Sequence, residues 1–158
     1  MYGPTVTFGS FCGEDGVERP LEWKVIGVYS GHILILCKDI IARKPFNDRA
    51  DLTSWKNSTI RKWLNEDFYN AAFDSEERAM IDEVDTDRGV DDRIFLLSGE
   101  ESDEFFGTLQ GYECGEVYWL RSDNRDRAQV INRVGMRDHR QKDDDRIGVL
   151  PALYVDLN

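Results

Sequence analysis

"TSWKNSTIRKWLNEDFYNAAF", residues 53–73, decides the fold class, because helical periodicity interrupts a chain that alternates on either side of it. Ile60, Trp63, Leu64, Phe68, Ala71 and Ala72 fall on one stripe, with Arg61, Lys62, Asn65 and Glu66 opposite. Asn57 or Ser58 is the natural N-cap, since a side-chain oxygen there accepts an orphan N–H of the first turn. A second, short helix is expected in "DSEERAMID", where Asp74 and Glu77 stand at capping-box spacing.

Toward the N-terminus the pattern is that of strands. "TVTFG" leads through a turn-rich "CGEDGVERP" into "LEWKVIGVY" and "HILILCKDIIA". Leu21, Trp23, Val25 and Gly27 alternate with Glu22, Lys24 and Ile26, the period of a half-buried strand. Ser30-Gly31 between Tyr29 and His32 reads as a two-residue hairpin, with Gly31 free to take positive φ. Toward the C-terminus, "DTDRGVDDR" reads as a polar loop and Ile94–Leu97 as a buried strand. Ser98 and Glu101 then open a helical turn at capping-box spacing. "EVYWLRS", "RAQVINRV" and "GVLPALYVDL" are strands again. Strands, helices, strands is an α+β order, with the N- and C-terminal strands expected to pair in one mostly antiparallel sheet.

The 158 residues are expected to form a single domain, 1–158, with a core large enough to need no staples. No apolar run reaches membrane-spanning length, and "MYGPTVTFGS" lacks the basic and apolar regions of a signal peptide, so a soluble protein is expected. A partner or another segment can still carry the chain to a cell or phage surface. The net charge of −11 disfavours nonspecific binding to nucleic acid or anionic lipid. Cys12, Cys37 and Cys114 are scattered singly, which argues against a disulfide scaffold and a zinc site. His32 and His139 show no ligand-like neighbour pattern, so a histidine-based metal site is not expected.

"SWKNSTIRKWLNEDFYNAAFDSEER", "IFLLSGEE", "YWLRS" and "GVLPALYVDL" stand in an order that resembles a bacterial family of domains of unknown function. Trp55, Ser58, Arg61, Trp63-Leu64-Asn65 and Trp119-Leu120-Arg121-Ser122 carry the resemblance. That family is similar to the C-type-lectin-like fold of formylglycine-generating enzymes and of the variable proteins of diversity-generating retroelements. The resemblance implies a lectin-like scaffold with two main helices. Leu150 departs from it, standing where the closing motif usually has Arg. Formylglycine chemistry needs a cysteine pair five residues apart, which is absent here, so no enzyme is expected.

The resemblance places a variable face between "YWL" and the closing motif, and the composition there is biased. Residues 121–146 hold six Asp and no Glu, against 13 Asp and 12 Glu elsewhere. They hold seven Arg and a single Lys, against seven Arg and five Lys elsewhere, and are net basic on an acidic chain. In variable proteins of that type the adenines of AAC or AAT codons are randomised, which yields Asp and Arg but never Glu, Lys, Gln, Met or Trp. Gln129, Met136, Gln141 and Lys142 then have to be fixed positions. A short Asp/Arg-rich solvated loop accounts for the same bias, and both readings stand at this point.

On the binding reading, Ala128, Val130 and Val134 point into the core while Arg127, Gln129, Ile131 and Arg133 point out. Gly135 bends the chain and Met136–Arg140 returns along it. The candidate ligand-binding residues are Asp123, Asn124, Arg125, Arg127, Gln129, Asn132, Arg133, Arg137, Asp138, His139, Arg140 and Asp143. Arg's planar fork and Asp's short acceptor suit charge-assisted bonds to a protein or other macromolecular ligand, without a cofactor. A structural or partner-docking module without diversification is the alternative.

Two acidic clusters have a loose calcium-loop spacing: Asp85, Asp87, Gly89 and Asp91, and "KDDDR" at 142–146. The first lacks the distant bidentate Glu, and the second is flanked by cations. Glu76-Glu77, Asp91-Asp92 and Glu100-Glu101 read as solvated pairs, and Trp23, Trp55, Trp63 and Trp119 as core packing rather than a sugar-stacking set.

Overall fold

A computed structural model describes residues 3–158. Among the described residues eleven strands and four α-helical segments follow one another in an α+β order: β1 (Thr5–Cys12), β2 (Glu18–Tyr29), β3 (His32–Cys37), β4 (Ala42–Arg43), α1 (Thr59–Trp63), α2 (Tyr69–Ala72), α3 (Ser75–Met80), β5 (Val84–Asp85), β6 (Asp91–Asp92), α4 (Gly99–Phe106), β7 (Tyr118–Asn124), β8 (Arg127–Ile131), β9 (Arg137–Gln141), β10 (Gly148–Val149) and β11 (Ala152–Asp156). One sheet runs β1-β2-β3-β11, a second β4-β10-β7-β8-β9, and β5-β6 is a two-stranded ribbon. All pairings are antiparallel except β10 with β7.

The terminal strands share the first sheet but do not pair with each other. β1 lies at one edge and β11 at the other, against β3. The β2–β3 hairpin explains this: it turns at Ser30 (φ 50°) and Gly31 (φ 87°), and its β3 limb is buried over Leu34–Cys37, leaving β3 as the strand that receives β11. A bulge between Val25 and Gly27 ends the simple alternation of β2.

The helical run from Thr59 to Ala72 starts at Ser58, whose hydroxyl accepts the Arg61 N–H. Its middle, Leu64–Phe68, is a π turn. Ile60, Leu64, Phe68 and Ala72 are buried by i, i+4 spacing, whereas Ala71, expected on the stripe, faces solvent. Capping boxes open α3 (Asp74, Glu77) and α4 (Ser98, Glu101). Ile94–Leu97 is buried as expected but forms no ladder: it meets β11 through a Phe95–Ala152 bridge and β7 through the Arg121 N–H on the Leu97 carbonyl, so it is an extended link rather than a strand.

Trp23, Trp55 and Trp119 are sealed in the core, and Leu150 is buried beside them. Arg61 and Arg121 bind the core's polar edge. Arg61 Nε donates to Asp92 Oδ1 at 2.6 Å, and Arg121 donates to the carbonyls of Thr86 and Leu96. Asp92 corrects the solvated reading of Asp91-Asp92. It is 2% exposed and also accepts from Trp55 Nε1 and the Thr86 hydroxyl. The segment expected as a loop is therefore a ribbon that delivers this carboxylate to the core.

Candidate ligand-binding face

Residues 121–146 supply the second half of β7 and all of β8 and β9 in the second sheet, with β9 at its edge. The β7–β8 turn is tight, since Asn124 stands opposite Arg127, and Arg125 adopts φ 59°. A left-handed conformation costs a side-chain-bearing residue about 1–2 kcal/mol, so glycine would serve folding better at that position. At the other end, Asn132 Oδ1 accepts the N–H groups of Val134 and Met136, and Gly135 (φ 81°) completes the reversal.

That turn overturns part of the expected alternation. Ala128 and Val130 are buried, but so is Ile131, and Val134 is 68% exposed. Period two ends where β8 ends, at Ile131. Behind β8, α4 and the following loop cover the second face, so Ile131 and Gln129 meet protein rather than solvent; a Cβ on Gly111 or Gly99 would strike them.

Ten of the twelve candidate residues fall into two groups, and two stand between them. Asp123, Gln129, Asn132 and Arg137 make intramolecular bonds that hold the scaffold. Arg137 donates to Gly99 O (2.8 Å), Asp103 Oδ1 (2.6 Å) and Gln129 Oε1 (3.1 Å), tying β9 to α4. Asp123 Oδ2 accepts from Lys142 Nζ (2.7 Å) and Ser54 Oγ (3.0 Å). Lys142 is completely buried and also donates to the carbonyls of Asp51 and Thr53. It is the segment's anchor, and sequence reasoning saw it only as a break in composition.

The side chains of Asn124, Arg125, Arg127, Arg133, His139 and Asp143 are exposed and have no hydrogen-bond or ion-pair partner among the described residues. Asp138 and Arg140 stand between the groups. They pair with each other at 2.9 Å, and the same contact, with the His139 N–H, lowers the Asp138 pKa. Asp138 Oδ1 accepts the His139 N–H and Arg140 Nη1 donates to the His139 carbonyl. Those two side chains blunt the edge strand against backbone pairing.

Four of the six exposed groups, Arg127, Arg133, His139 and Asp143, border two adjoining grooves, of ≈ 460 and ≈ 730 Å³, that share Arg140 and Asp144–Arg146. Arg127 and His139 line the first, Arg133 and Arg43 the second. Arg146 closes on Asp144 at 3.0 Å and holds that carboxyl below the usual carboxylate range. The grooves are polar and shallow, suited to side chains of a macromolecule rather than to an enclosed small ligand.

The two calcium-like clusters do not converge. Asp85 spends its oxygens on the backbone N–H groups of Asp87 and Gly89, a turn geometry that explains the alternating acids. Among the described residues, donors sufficient for a metal gather at His32, Asp82 and Asp156, a group the sequence reading missed. Comparison with known families finds that a model described as a domain of unknown function, DUF6273, matches residues 30–157. No curated protein and no solved structure matches the chain.

Proposed function

The chain belongs to the DUF6273 family, and from that premise we propose that it is a non-enzymatic binding domain that presents Asn124, Arg125, Arg127, Arg133, His139 and Asp143 to a protein partner on a lectin-like scaffold. The carrying observation is the division of labour inside residues 121–146. Arg121, Asp123, Gln129, Asn132, Arg137 and Lys142 spend their polar groups on the fold, while the six displayed side chains spend theirs on nothing among the described residues. An arginine held at φ 59° in an exposed turn supports the same reading, because that choice does not serve folding. Three unpaired guanidinium groups fit a partner surface that offers carboxylates.

The lectin-like scaffold is supported by both terminal strands lying in one sheet while a second sheet carries the displayed segment. The Asp/Arg bias supports diversification of the retroelement type. Lys142 and Gln129, which such codons cannot encode, hold scaffold contacts.

Randomising the six displayed positions together tests the display. Clones are expected to keep protease resistance and their melting temperature to within a few degrees, and to yield binders to acidic protein targets. Widespread unfolding of the library would overturn it. Sequencing the locus tests diversification separately: a template repeat of this segment beside a reverse transcriptase is expected, and its absence leaves a partner-docking module with a fixed rim.

A further inference from the structure

We propose that His32, Asp82 and Asp156 bind a divalent cation of the zinc class on the first sheet, apart from the displayed rim of the second. His32 opens β3 and Asp156 closes β11, directly opposite each other in register. Asp82 follows α3, where its N–H donates to the Tyr154 carbonyl at 3.0 Å and Ile81 bridges Val155. Main-chain pairing thus fixes all three positions independently of their side chains. Their donor atoms lie within 4.8 Å of one another, and His32 Nδ1 is 2.7 Å from Asp82 Oδ2.

One imidazole nitrogen with two carboxylates suits zinc and its borderline neighbours. Calcium and magnesium want six or more oxygens. Bonds of about 2.0–2.2 Å put tetrahedral donors roughly 3.3–3.6 Å apart. The close His32–Asp82 pair has to open and the widest pair has to close. Both moves need only side-chain rotation, and all three side chains are half-buried, with room to turn. Three protein donors leave a position for water. Asn158 holds Asp156 Oδ1 through its N–H and its amide, leaving Oδ2 to the cation.

Charge favours the same conclusion. Among the described residues neither Asp82 nor Asp156 has a Lys or Arg partner, whereas Asp92, Glu101, Asp103 and Asp123 each have one. Two carboxylates beside an imidazole have a counter-charge to gain from a metal.

The test uses the full chain, stripped with chelator and carrying Cys12→Ser to remove its exposed thiol. Zinc chloride is titrated by calorimetry and cobalt chloride by visible absorption. One ion per chain is expected, with a dissociation constant in the micromolar range. His32→Gln, Asp82→Asn and Asp156→Asn should each weaken it at least tenfold. In the unsubstituted histidine background, zinc should move the His32 imidazole ¹⁵N resonances and leave those of His139 in place, a readout that needs no variant to fold. No binding up to about 1 mM, binding indifferent to His32→Gln, or a shift confined to His139 would overturn the proposal.

Discussion

Replacing Lys142 with Met should unfold the protein far more easily than any change on the displayed rim. Its ammonium is completely buried and makes three bonds: to the carbonyls of Asp51 (3.3 Å) and Thr53 (2.7 Å) and to Asp123 Oδ2 (2.7 Å). Met fills the volume but leaves an anion and two acceptors behind. Removing one partner of a buried pair costs about 3–5 kcal/mol. The Asp123 side chain keeps 20% exposure, so water recovers part of that loss and the lower end, about 3 kcal/mol, applies. At roughly 2–4 °C per kcal/mol for a chain of this size, the melting temperature should fall by about 10 °C. Urea unfolding followed by tryptophan fluorescence, run as a cycle with Asp123→Asn, should give a coupling of about 1.5 kcal/mol or more between the two side chains. A Lys142→Met protein within about 1 kcal/mol of the parent, or an additive cycle, would refute the anchoring role.

Arg137→Met should cost about 2 kcal/mol, reduced from the buried-pair value because Asp103 is 36% exposed and Arg137 Nε has no partner to lose. Amide exchange should rise in α4, the helix it tethers. A melting temperature unchanged by Arg137→Met would return Arg137 to the ligand-facing set. Burial pushes the Cys37 thiol from 9.0 up to about 12. The folded state thus keeps a proton that the unfolded chain releases, and stability falls as pH rises from 9 toward 12, by about 1.4 kcal/mol per unit from this group. Cys37→Ala should flatten that decline in pH-dependent urea midpoints, and an equally steep decline in the variant would count against the assignment. A thiol reagent should label exposed Cys12 in the native protein and spare Cys37.

What was legible in the sequence is what neighbouring residues decide between themselves. Ser58, the Asp74–Glu77 and Ser98–Glu101 boxes and the Ser30-Gly31 turn all lie within four residues of the groups they satisfy, and each forms as its spacing requires. What was not legible depends on distant partners. Asp92 becomes a core acceptor only because Trp55 and Arg61, 37 and 31 residues away, converge on it. Ile131 is buried only because α4 and its following loop cover the back of β8. β1 and β11 were expected to pair, but nothing local reveals that β2 and β3 stand between them. His32 and Asp82 show no motif at a separation of 50 residues, and only the register of β3 with β11 adds Asp156.

The same distinction narrows the compositional puzzle of residues 121–146. A strip of Asp and Arg can arise because a surface is free to vary or because a fold needs short acceptors and planar donors. Here both causes operate, at different positions. Arg121, Asp123 and Arg137 are charges the scaffold uses, so their presence says nothing about variation. Once they are set aside, the free polar side chains cluster at the β7–β8 and β8–β9 turns, the exposed edge strand and the loop after it, where a new side chain need satisfy no internal partner and meets only solvent. Each also lies within a few residues of an anchored one: Asn124 beside Asp123, Arg133 beside Asn132, Asp143 beside Lys142. A face built this way can change its chemistry at the tips without moving its backbone, because the residues that hold the backbone are not the ones displayed.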